Sequence, residues 1–141
     1  MNREVREGIA AALDRLDTAP NIAAAVLTGA GGTFCAGMDL KAFLTEGAPV
    51  GGTRGFGGVA ARPPDKPLIA AVAGLALAGG FEIALAADLI VAAADAAFGL
   101  PEVKRGVIAS AGGLVLLGRT LPYQAAMRIA LTGERIEARE L

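Results

Sequence analysis

The chain has 141 residues and no histidine, no tryptophan and one cysteine. Without histidine there is no Ser-His or Cys-His nucleophile activation, and the common zinc ligand sets are missing. A lone cysteine excludes an internal disulfide, and with no imidazole beside it Cys35 reads as structural. Aromatics make up only 4% of residues although the hydrophobic fraction is 54%. Alanine and glycine therefore supply much of the apolarity, and elements should pack closely. The net charge of −1 comes from mixed signs along the chain, which gives no electrostatic case for nucleic acid or an anionic membrane. In the apolar centre the longest uncharged run, residues 68–81, is 14 residues with three glycines. A bilayer span needs about 18. Seven charged residues in the first twenty leave no signal-peptide core. The reading is a soluble cytoplasmic protein with one domain over residues 1–141.

What is present follows an alternating plan. Asn2 can cap a helix over residues 3–17, with Val5, Ile9, Ala12, Leu13 and Leu16 at the 3.6 period. Residues 22–27 (IAAAVL) form a continuous apolar run, as expected for a strand buried on both faces. Asp39 can cap a short helix from Leu40 to Leu44. Residues 47–58 hold six glycines, and three prolines follow before Leu68, so a long mobile loop ending at Lys66 is expected. Leu68–Val72 reads as a buried strand, 74–78 as a turn, 80–88 as a helix and 89–93 as another strand. Asp88 reads as a structural cap partner. Pro101 starts a helical turn, residues 110–113 open a further helix, and Pro122 begins one that ends near Gly133. A last helical pattern starts at Ile136. This order points to α/β with parallel pairing.

Three stretches carry candidate chemistry. In residues 32–40 (GTFCAGMDL), Gly37 before a helix can turn the Met38 amide inward; an ordinary strand-to-helix turn is the alternative. In residues 74–82 (GLALAGGFE), glycines at a helix start let a ligand approach the backbone where the dipole favours negative charge. A phosphate loop would need Lys and Ser/Thr after the glycines, and Phe81 and Glu82 stand there instead. Close helix–strand packing is the other explanation. The third candidate is Glu82 with Glu102, two carboxylates that could divide acid and base roles; taken separately, each also reads as a solvated or paired glutamate. Lys104-Arg105 could meet a phosphate, with an exposed basic pair as the default reading.

Together these stretches resemble the crotonase (enoyl-CoA hydratase/isomerase) superfamily. Residues 32–40 are similar to its GxxFxAGxDL motif, and residues 78–82 (AGGFE), Asp88 and residues 98–102 (FGLPE) to its second motif. The resemblance implies a ClpP/crotonase-like spiral of ββα units that binds acyl-CoA thioesters, with coenzyme A as part of the substrate and no separate cofactor or metal. It implies an oxyanion hole from the amides of Met38 and Gly79, and Glu82 and Glu102 as catalytic residues adding water to a 2-trans-enoyl-CoA. Ala36, Met38, Asp39, Leu40, Gly79, Gly80 and Pro101 would line the thioester path, and loop 47–58 would border the acyl pocket. Family members begin with a strand that would precede Met1 and end with helices that would follow Leu141. The implied domain is therefore partial, with its spiral incomplete at both ends, and trimers or hexamers are expected of the full length. A Δ3,Δ2-enoyl-CoA isomerase or another crotonase-fold acyl-CoA enzyme is the alternative enzyme. An acyl-CoA- or RNA-binding protein is the alternative class, and the mixed charges of the first helix speak against RNA.

Overall fold

The computed structural model describes all of residues 1–141. Its helices are α1 (Arg3–Thr18), α2 (Leu40–Glu46), α3 (Gly79–Leu85), α4 (Gly113–Thr120) and α5 (Tyr123–Thr132). Its strands are β1 (Ala25–Thr28), β2 (Leu68–Val72), β3 (Leu75–Leu77), β4 (Leu89–Ala92), β5 (Ala97–Gly99) and β6 (Ile136–Glu137). Short 3-10 turns lie at Phe56–Gly58, Pro101–Arg105 and Ala138–Glu140.

The strands form two sheets. One has the order β1-β2-β4, all parallel; the other is β3-β5-β6, with β6 antiparallel. After β2 the chain turns at Gly74, in the left-handed region, and continues directly into β3 of the second sheet. The chain passes likewise from β4 to β5. Cys35 bridges Ala76 in parallel, so the segment after β1 adds a further rung beside β3. Each turn of the chain thus lays one strand in each sheet, which is a spiral of ββα units.

The structure corrects several expectations. The turn at 74–78 is largely strand β3, three residues that are too short for a period-2 pattern to show. The apolar run at 22–27 pairs only from Ala25 onward. Ile136–Glu137 is a strand paired with β5, followed by a 3-10 turn, not a helix. The first sheet is buried on one face only. Its outer face carries Val26, Leu89 and Val91, each about 60% exposed (63%, 60% and 61%). Continuous apolar runs fit double burial and one-sided burial equally well, and here Leu27, Leu68, Val72 and Ile90 share the inward face with Ala25, Ala70 and Ala92.

The glycine-rich loop is anchored, not free. Arg54, 2% exposed, donates from Nε to Asp14 Oδ1 at 2.8 Å and from Nη2 to Asp17 Oδ2 at 2.6 Å, both on α1. Gly58 packs so tightly that a Cβ there would lie 2.4 Å from the Arg6 carbonyl oxygen of α1. Glycine content suggested freedom, but here it permits close approach.

Other local readings hold. The Asn2 side chain accepts from the Val5 amide at 3.0 Å and caps α1. Asp39 Oδ1 accepts from Lys41 and Ala42 at 2.9 and 3.1 Å and caps α2. Asp88 Oδ2 accepts from Leu68 at 2.8 Å, tying the α3–β4 junction to the start of β2. The core gathers Leu13, Leu16, Leu68, Val72, Phe81, Ile83, Phe98, Leu117 and Ile129 between these layers.

Candidate active site

A cleft of about 1210 Å³ opens where the loops after β3, β5 and the Cys35 rung converge. Ala36, Met38, Leu40, Gly79, Glu82, Pro101 and Glu102 all line it. Asp39 and Gly80 do not. The Asp39 carboxylate is taken up in capping α2. Gly80 is a packing glycine, since a Cβ there would lie 2.0 Å from the Cys35 carbonyl oxygen. Residues 32–40 and 74–82 are therefore one structure: the glycines of the second stretch make room for the backbone of the first.

The two backbone donors lie in loops brought together by that contact. A Cβ on Gly37, whose φ is +101°, would sit 3.0 Å from the Ala78 Cβ and 3.5 Å from the Gly79 nitrogen. Neither the Met38 amide nor the Gly79 amide donates a hydrogen bond within the protein. Ala78 directs the latter. It is the one non-glycine residue with positive φ, at φ 52° and ψ −132°. Such a conformation costs on the order of 1–3 kcal/mol and persists only when its surroundings impose it. Here the Ala78 amide donates to Gly99 O at 2.9 Å, and its carbonyl accepts from Phe81 and Glu82 at 2.9 and 3.1 Å. A small electronegative atom reaching both free amides would be held by two fixed N–H donors.

Glu82 is 4% exposed on α3. Its Oε1 accepts from the Ala111 and Gly113 amides at 2.8 and 2.9 Å, and Oε2 takes no hydrogen bond from the protein. Burial pushes its carboxyl above the usual range, and the two amides pull against that. Glu102 follows β5 on the Pro101–Arg105 turn, and its Oε2 is buried without a partner. Burial raises this carboxyl too; its own amide lowers it, and the charge of Glu82 raises it further. The Phe81 and Phe98 rings, 5.1 Å apart and tilted, lock α3 to β5 and so set one glutamate against the other.

Three contributors were not legible in the residues alone. The amides of Ala111 and Gly113 hold Glu82, and a Cβ on Gly113 would lie 2.7 Å from Glu82 Cγ. The Gly112-Gly113 pair is the available signal, and in sequence it reads as a helix start. Phe56 lies against Gly79, and Arg105 stands in the cleft wall.

The sequence-family comparison matches enoyl-CoA hydratase/isomerase over residues 1–141. The chain is 50% identical over 137 residues to the mevalonyl-coenzyme A hydratase of Beauveria bassiana, covering 89% of this chain and 49% of that protein. It is 42% identical over 125 residues to the carnitinyl-CoA dehydratase of Proteus mirabilis, covering 86% and 48%. Among solved structures it superposes on the enoyl-CoA hydratase EchA1 of Mycobacterium marinum with a TM-score of 0.93 and 57% identity, covering 98% of this chain and 55% of that one. A carnitinyl-CoA dehydratase of Mycobacterium avium gives 0.91 and 49%, covering 97% and 55%. The chain spans about half the length of these relatives. On the match over all its residues and on the shared spiral, the chain belongs to the enoyl-CoA hydratase/isomerase family.

Proposed function

We propose that the protein hydrates 2-trans-enoyl-CoA thioesters to 3-hydroxyacyl-CoA. The observation that carries this is the pair of glutamates in one cleft, differently held: Glu82 pinned through one oxygen by two amides, Glu102 with a buried oxygen unpartnered. Two amide donors favour the carboxylate of Glu82, while an unpartnered oxygen and a neighbouring charge favour the acid form of Glu102. That division suits one base and one acid.

In the reaction, water attacks C3 and gives a proton to Glu82. The π electrons move through C2 to the thioester oxygen, which the Met38 and Gly79 amides hold. These donors help most where charge is greatest, so they stabilise the enolate-like transition state more than the substrate. Glu102 then delivers its proton to C2. The two glutamates end with their protons exchanged, and one proton passing between them or through water resets the site.

The named relatives support the class of chemistry, since a hydratase and a dehydratase of CoA thioesters run one equilibrium from opposite sides. The direct assay is loss of the enoyl-thioester absorbance of crotonyl-CoA with the intact protein. Normal binding of a saturated acyl-CoA with no hydration would sink the proposal. Full activity in either single Glu→Gln variant would point instead to isomerase chemistry, which needs only one acid–base group.

A further inference from the structure

The loop over residues 47–66 is tied down at a buried arginine and lays Phe56 against the backbone of the candidate oxyanion site. The Arg54 guanidinium is spent on three acceptors: Asp14 Oδ1, Asp17 Oδ2, and the Arg62 carbonyl at 3.0 Å. Asp17 also accepts from the Asp65 amide at 2.8 Å through its other oxygen. One carboxylate on α1 therefore grips the loop at both residue 54 and residue 65.

Two residues after Arg54 stands Phe56. Gly55, at φ +70°, makes the bend between them. Gly57 packs against α3, where a Cβ would come 2.5 Å from Ile83 Cδ1. The ring itself lies on Gly79: a Cβ at Gly79 would be 2.4 Å from Phe56 Cε1 and Cζ. Phe56, Ala60 and Ala61 all face the cleft. A rigid chain of contacts thus runs from α1 through the ion pairs to an aromatic ring beside the free Gly79 amide.

We propose that Phe56 limits which acyl groups the cleft accepts, and that Arg54 is the positioning residue that holds Phe56 there. This rests on the acyl-CoA reading of the cleft. A flat ring seated on Gly79 occupies space next to the thioester carbonyl, so a smaller side chain opens the cleft to longer acyl groups. Loosening Arg54 leaves the ring present but unfixed, and the same selectivity is lost without any change in lining residues.

The test uses the intact protein with crotonyl-CoA and 2-decenoyl-CoA for turnover, and butyryl-CoA and decanoyl-CoA for binding. Phe56→Ala is expected to shift the long-to-short kcat/KM ratio about tenfold toward the long chain. Arg54→Gln should shift it the same way, Arg54→Lys less, and Arg54→Gln with Phe56→Ala no further than Phe56→Ala alone. Asp14→Asn, which leaves the Asp17 partner in place, gives a smaller shift and keeps the test open if Arg54→Gln does not fold. An unchanged ratio in Phe56→Ala, an equal loss on both chain lengths in the Arg54 variants, or additive effects in the double variant would overturn the proposal. A shifted binding ratio without turnover would reject the hydratase reading and leave this one standing. A flat binding ratio with turnover would do the reverse.

Discussion

At the scale of the residue, Glu82 and Glu102 work against the fold that holds them. Burial raises both carboxyls from the usual 4.5. The folded state then keeps protons that the unfolded chain has released, so these groups lower stability as pH rises above that value. Glu102→Gln is therefore expected to melt higher than the parent at pH 7, with the gain vanishing toward pH 4, as thermal scans across pH would show. The same substitution, or Glu82→Gln, should lower kcat by about 10²–10⁴-fold. On the proposed reading stability and activity move oppositely, as expected of groups placed for chemistry and not for packing. Gly113 offers a subtler probe. In Gly113→Ala the new Cβ meets Glu82 Cγ and Oε1 at 2.7 and 2.9 Å, so the carboxylate must shift. A kcat loss on the order of 10²-fold is expected with acyl-CoA binding retained, measured as separate kcat and Kd values. Glu82 stands out in the sequence because a charged residue inside an apolar stretch is costly and visible, whereas the role given to Glu102 comes from the family resemblance. The amides that hold Glu82 were not, since a backbone donor has no residue type.

The elements divide along the same line. Helices with side-chain caps were readable to within a residue or two, because Asn2 and Asp39 announce their ends. Strand β3 was not, since three residues between a glycine turn and a helix carry no period. Nor was the anchoring of loop 47–66, which depends on an arginine meeting two aspartates about 40 residues earlier. Asp39 shows how a residue of a functional motif can act through an element. It caps α2, and α2 brings Leu40 and Phe43 to the cleft. Asp39→Ala removes this cap and should lower the midpoint of urea unfolding. It should raise KM more than it lowers kcat, because the lining moves while the glutamates stay.

Across the whole molecule, the tie between α1 and loop 47–66 is also a response to acid. The hydrogen bond from Arg54 holds the Asp17 carboxyl below its usual 3.8, with the Asp65 amide adding to the effect. A depressed carboxyl contributes stability that is fully present above that usual value and lost as pH falls through the lower, folded one. Asp17→Asn should therefore be less stable than the parent at pH 6, and the difference should shrink below pH 3.8, as paired denaturant titrations would record. The spiral itself has a kinetic consequence. β2 and β4 close a loop of about 20 residues, whereas β1 reaches β2 across about 43. Loop-closure entropy favours the shorter by roughly 0.7 kcal/mol. The β2–β4 pair is thus expected to condense first, with β1 and the Met38 loop docking afterward. Pulse-labelled amides of β4 should be protected before those of β1; the opposite order would refute this. β3 closes on β5 over about 22 residues as well, so a chain caught between the two steps would hold Glu82 and Glu102 already apposed, yet the Gly79 amide would stand without that of Met38 beside it.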